Sequence, residues 1–280
     1  MIPRSIPVGM YHHVNHNAGD FITVSVKNFR RQMEWLKRDN YETLSAEKFL
    51  AALRGEYRPA PRSFVLTFDD AWLDVHTFAF PILRELGHHF IVFTISNWTD
   101  RASEQPFHAT TEAAVPTHEA ASKLIKEKRA HEVICSWEHL REMQASGLCS
   151  IENHSASHRH ATQIAPEALR EDLLRCREAI QNQLHRDSLH LCWPRGSHNA
   201  QTLALARELG MATTYLVRRG VNLVGGGSFA VKRFTVEDRD EMWLERQLRI
   251  FSNPLFGVLY ARLKPDRWFR RSAEGAKQRL

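Results

Sequence analysis

Ser63-Phe64-Val65-Leu66-Thr67-Phe68-Asp69-Asp70 is the stretch on which the reading of this chain turns. Its first six residues are dominated by aromatic and β-branched side chains and have the length of a buried strand. The run then stops at two adjacent carboxylates. Such a pair repels itself and loses hydration unless a cation or another partner stands close. Taken alone, the pair also fits a solvated turn or the start of the helix that the pattern places over 73–86.

Outward from this point the same alternation repeats in both directions. Apolar runs over 8–11, 90–95, 148–151, 189–193, 212–217 and 229–236 read as strands. Helical spacing of apolar residues appears over 28–39 (Phe29, Met33, Leu36) and over 167–184 (Leu169, Leu173, Cys176, Ile180, Leu184). Shorter helices are expected after Ser45, a plausible N-cap, and over 137–146, 201–209 and 241–251. The polar stretch 97–135 reads as an irregular functional loop with a short helix over 120–130. Strand–helix alternation of this kind implies an α/β fold with a parallel sheet and outer helices, and the count favours a closed (β/α) barrel. In such barrels the chemistry gathers at the C-terminal ends of the strands.

A second polar cluster follows another expected strand: Asn153-His154-Ser155-Ala156-Ser157-His158. Two imidazoles four residues apart reach one ion if the backbone coils between them, although a chain with 16 histidines also carries some at its surface. Both clusters together offer two imidazoles and one carboxylate, with a second carboxylate left over to act as a base. That is a common donor set for a hydrolytic zinc site.

These motifs resemble the polysaccharide deacetylases, the NodB-type carbohydrate esterases. Thr67-Phe68-Asp69-Asp70 is similar to the family's TFDD motif, and His154–His158 to its H-S/T-x-x-x-H motif. The resemblance covers roughly residues 6–245 and implies a distorted barrel of seven or eight strands. It implies that Asp69 is the general base and that Asp70, His154 and His158 hold a divalent metal, with zinc the expected ion. It implies further that Ser155 orients the loop, and that the backbone N–H of Arg195, in Trp193-Pro194-Arg195-Gly196, stabilises the oxyanion. Met10-Tyr11-His12-His13-Val14 resembles the MYHxV opening of a circularly permuted branch that includes biofilm poly-N-acetylglucosamine deacetylases; there the matching histidine, here His12, is the general acid. The sequence departs from the family in three places. Cys192 stands where many members have an arginine that tunes the base, Arg195 replaces an aromatic, and no Leu-x-x-His motif is evident near the C-terminal end.

The implied reaction is removal of an N-acetyl group from a carbohydrate. Deacylation of an O-acetyl ester or a non-sugar amide, or glycan binding without turnover, are the alternatives. The 280 residues carry 38 basic and 32 acidic side chains, a surplus of six. All of that surplus lies from Arg249 onward, so the body of the chain is neutral and no nucleic-acid partner is expected. Residues 1–250 are read as the barrel and 251–280 as a basic, aromatic tail suited to peripheral contact with an anionic membrane. A strand reading so close to Met1 leaves no space for a secretory signal. With four unpaired-looking cysteines, this leads us to expect a cytoplasmic protein.

Overall fold

A computed structural model describes residues 4–17, 19–105 and 115–264. The first half of the chain runs β1 (Val8–Tyr11), β2 (His13–Asn15), β3 (Thr23–Ser25), α1 (Val26–Arg38), β4 (Glu42–Thr43), α2 (Ala46–Arg54), β5 (Ser63–Asp69), α3 (Phe80–Leu86), β6 (Phe90–Thr94), α4 (Ser96–Ser103) and α5 (His118–Lys126). The second half runs α6 (Trp137–Ala145), β7 (Cys149–Asn153), α7 (Pro166–Leu184), β8 (His190–Cys192), α8 (Ala200–Glu208), β9 (Thr213–Tyr215), β10 (Phe234–Thr235), α9 (Glu241–Ser252) and α10 (Pro254–Leu263).

The main sheet has the order β10-β1-β5-β6-β7-β8-β9, with β4 beside the start of β5. Its ladders are parallel. It curls until Tyr215 of β9 meets Val231 through a single parallel bridge. The segment from Val231 to Thr235 therefore closes the (β/α) barrel, touching β9 at one end and β1 at the other.

Strand periodicity sorts the side chains between two layers. On β5, Phe64, Leu66 and Phe68 join the outer core beneath the helices, while Val65 joins the interior cluster with Ile91, Phe93, Cys192, Tyr215 and Val231. Phe49, Ala52 and Leu53 of α2 belong to the interior cluster too, so this helix plugs the end of the barrel where the strands begin. Gly9 is needed here: a Cβ would lie 2.6 Å from the Phe64 ring.

Four features differ from the sequence reading. Within 97–135, α5 stands where a short helix was expected, but α4 was not expected. Helix α4 begins at Ile95 without a side-chain cap and buries Ser96, Thr99 and Ala102, small and mostly polar residues that carry no hydrophobic stripe. The helix expected over 73–86 opens with a π-turn, Val75–Ala79. The last strand shrinks to two residues because Arg233 gives its backbone N–H to Arg218 O at 2.9 Å instead of to a neighbouring strand. The expected boundary at 250/251 falls inside α9, and α10 follows it as a further helix. Residues 265–280 of the basic tail, including Trp268 and Phe269, lie outside the described residues.

Candidate active site

The two aspartates part company at the end of β5. Alternation turns Asp69 into the barrel with Val65 and Thr67. Asp70 and Ala71 then leave the strand with φ of +73° and +53°, backbone values that non-glycine residues seldom adopt. The turn is pinned from outside: Cys135 N–H bonds Ala71 O, Leu73 N–H bonds Val133 O, and Trp72 bridges Ile134.

Asp69 is buried and gripped by Arg233, whose Nη1–H and Nη2–H donate to its two carboxylate oxygens at 2.6 and 2.7 Å. The guanidinium has no exposed surface. It also donates to Thr67 Oγ1, Cys192 Sγ and Leu216 O. Burial would raise the Asp69 carboxyl, but Arg233, His154 and His12 hold it below the ordinary carboxylate range. Arg233 thus answers the departure at Cys192: the arginine missing from position 192 is replaced in space by one from the closing strand. Cys192 is small enough to let the guanidinium pass, and its thiol sits 3.5 Å from Asp69 Oδ2. Sequence reasoning missed this residue. The signal was an arginine two positions after Val231, on the same face of an apolar strand.

Asp70 faces the second motif. Its Oδ1 is buried, accepts no hydrogen bond, and lies 3.2 Å from His154 Nε2 and 3.3 Å from His158 Nε2. His154 Nδ1–H donates to Cys192 O at 2.8 Å, which orients the ring so that Nε2 faces Asp70. Desolvation pushes His158 down to about 3, so its imidazole is neutral, the ligating form. Asp70 is kept well below the carboxylate range by His158 and His154, against its burial. Against its burial, Cys192 and the two aspartates raise His154 well above the ordinary imidazole range. Its Nε2, the Nε2 of His158 and Asp70 Oδ1 converge within 4.8 Å of one another, and these residues fit a divalent metal that would take the place of that proton. Asp69, His154 and Cys192 also converge, but both oxygens of Asp69 already accept from Arg233.

The loop that carries the histidines coils as a metal pair four residues apart requires. Ser155 and His158 have φ of +65° and +55°, and Ser155 Oγ accepts from His158 N–H at 3.0 Å. Trp72 Nε1–H donates to the other oxygen of Asp70 at 3.1 Å, and Trp98 stands with its ring 5.2 Å from His158. Neither tryptophan was singled out from the sequence.

His12 follows β1, buried and within the electrostatic reach of Asp69 and Asp70; desolvation holds it below the ordinary imidazole value, and the two carboxylates offset only part of that. The neighbouring His13 turns elsewhere. Its Nδ1–H donates to Asp74 Oδ2 at 2.7 Å, its ring packs on Trp72, and its Nε2 meets His118 Nδ1 at 3.1 Å. Arg195 has φ +56° in the 3₁₀ turn Pro194–Gly196, with its charge felt at His158. Asp69, Asp70, His12, His154, His158 and Arg195 thus gather at one end of the barrel.

With this geometry in view, comparison with known proteins settles the class. The family described as polysaccharide deacetylase matches residues 56–214, more than half of the chain, and the protein belongs to that family of hydrolases acting on carbon–nitrogen bonds. Bacillus subtilis YxkH, named as a polysaccharide deacetylase, is 23% identical over 234 residues, covering 84% of this chain and 72% of the relative. The poly-β-1,6-N-acetyl-D-glucosamine N-deacetylase of Escherichia coli K12 is 22% identical over 241 residues, covering 75% of this chain but only 34% of that longer protein. Among solved structures, the deacetylase PplD of Streptococcus pyogenes in complex with acetate superposes with a TM-score of 0.74 at 20% identity, over 88% of this chain and 99% of the other. That likeness establishes the fold.

Proposed function

We propose that this chain hydrolyses the N-acetyl amide of an N-acetylhexosamine unit in a glycan, releasing acetate and a free amino sugar. The observation that carries the proposal is the division of labour at the end of β5: Asp70 converges with His154 and His158, at 3.2 and 3.3 Å, while Asp69 is held ionised by Arg233. The name of the Escherichia coli relative supports the amide of N-acetylglucosamine as the bond that is cut.

Asp70, His154 and His158 would hold the metal, and zinc is the ion best suited to two imidazoles and a carboxylate with a position left for water. When bound, such an ion supplies Lewis-acid activation of water and polarises the acyl carbonyl. Asp69 takes a proton from the water as it attacks the carbonyl carbon. The Arg195 backbone N–H donates to the oxyanion, an interaction whose loss typically costs about 100- to 1000-fold in rate. His12 gives a proton to the sugar nitrogen as the carbon–nitrogen bond breaks. The N-terminal strand β1, lying between β10 and β5, brings His12 to that position, consistent with the permuted branch that the MYHxV opening resembles. Residence in the reducing cytoplasm belongs to the same proposal, supported by four cysteines that stay buried free thiols.

The test is acetate release from N-acetylated glucosamine oligomers, O-acetylated sugars and simple acetamides, measured beside metal content. Acetate from the N-acetyl sugars alone, lost on chelation and restored by zinc, is the expected result. Metal-loaded protein that releases acetate only from esters, or from nothing, overturns the proposal.

A further inference from the structure

The catalytic residues follow the C-terminal ends of the strands, and a different surface occupies the opposite pole. Where the chain enters β1 and β5, Arg4, Arg58 and Arg249 line an open groove of about 840 Å³ together with Tyr41, Tyr57 and Pro254. The acidic groups on the same elements are Glu56; Glu42, which accepts from Lys48 Nζ and the Tyr57 hydroxyl; Glu241, paired with Arg31; and Glu245, paired with Arg249 at 2.8 Å. Pro254 opens α10, so the groove runs directly into this helix.

Helix α10 turns its apolar side outward. Leu255, Phe256, Leu259 and Leu263 form one helical face and are 82%, 65%, 55% and 71% exposed. The helix cannot roll over to bury them. Gly257 fits against the barrel so closely that a Cβ would lie 2.4 Å from Val221, and the Tyr260 ring packs edge-on against Phe251. Arg262 flanks the outward face. A single exposed leucine means little, whereas a contiguous apolar stripe beside a basic groove marks a contact surface.

We propose that this pole docks on an anionic phospholipid surface. The stripe of α10 enters the headgroup boundary, and Arg4, Arg58 and Arg249 receive lipid phosphates in the groove. Charge decides against a second copy of the chain, because two-fold pairing through α10 sets the same basic residues against each other. The sequence beyond Lys264 continues the composition with Arg267, Trp268, Phe269, Arg270 and Arg271. Where the deacetylase proposal also holds, the seven residues of β5, at roughly 3.3 Å each, separate membrane and chemistry by about 20 Å. The glycan is then met from the water side and not in the plane of the bilayer.

The experiment is sedimentation of the full chain with vesicles of phosphatidylcholine containing one third phosphatidylglycerol, beside pure phosphatidylcholine. The protein is expected to pellet with the anionic vesicles and to be released by high salt. Arg4→Gln with Arg249→Gln should weaken partition about fivefold for each charge removed, and Leu255→Glu with Leu259→Glu should abolish it. Both pairs lie on exposed surface, and an unchanged melting temperature verifies their folding without reference to catalysis. Wild type left in the supernatant of both vesicle types, or variants that pellet like wild type, overturns the proposal. So does a solution dimer that Leu255→Glu converts to monomer while vesicle binding is absent, because the occupant is then a second copy.

Discussion

Two carboxylates inside this barrel each face an arginine, yet they are driven in opposite directions. Arg233 forks onto both oxygens of Asp69 with no exposed surface, and the carboxyl is held down. Arg186 reaches Glu152 through one contact of 2.8 Å, is 24% exposed, and is shared with Glu47. Ser188 Oγ–H and the His190 backbone N–H complete the Glu152 shell. There burial prevails and pushes Glu152 up to about 7, with Arg186 offsetting only part of it. An arginine nearby is therefore not enough. A fork on both oxygens, from a guanidinium with no exposed surface, is what keeps a buried carboxylate ionised.

The comparison can be broken at several points. The largest effect belongs to Asp69→Asn, which should lower acetate release by about 100- to 10000-fold while bound metal is retained. Loss of metal along with activity would move Asp69 into the ligand set. Arg233→Gln should cost about 10- to 100-fold. It should also move the acid limb of the pH–rate profile upward, since Asp69 then keeps its burial and loses its counter-charge. Adding Cys192→Arg to that variant should recover part of the rate, and an acid limb that stays put would mean that Arg233 does not set the base. Trp72→Phe removes a donor from Asp70 and should weaken metal affinity about tenfold, read by competition with a chelator. Rate at saturating metal should change little.

Glu152→Gln is the smallest perturbation and reports on stability alone. The folded state binds the Glu152 proton more tightly than the unfolded chain, whose ordinary value is 4.5. The stability this confers is present below 4.5 and lost as pH rises through about 7. Asp69 has the opposite sign: its contribution is present above the ordinary value of 3.8 and disappears as pH falls through its lower folded value. Glu152→Gln should flatten the decline in melting temperature between pH 4.5 and 7 and leave acetate release intact. An undiminished decline assigns that slope to another group.

Much of this was legible from local pattern. The aromatic and β-branched run 63–68 announced the strand, and Ser45 caps α2 through Lys48 N–H as expected. The i, i+4 histidines and the adjacent aspartates named the two halves of the site. What stayed hidden depends on contacts far apart in sequence. Arg233 is an ordinary surface residue type until the barrel closes around it, and Trp72 and Trp98 look like core until Asp70 and His158 are placed beside them. The left-handed backbone at Asp70, Ala71, Ser155 and Arg195 has no glycine to announce it. Helix α4 was missed because its buried face is made of Ser96, Thr99 and Ala102.

The narrow seam from Val231 to Thr235 has a consequence for biogenesis. Asp69 and the arginine that neutralises it are 164 residues apart, so a nascent chain emerging from the ribosome displays the aspartate long before its counter-ion exists. Any fragment ending at β9 carries both sequence motifs and still lacks the guanidinium that pairs with Asp69. In this protein the segment that closes the barrel also completes the ion pair inside it.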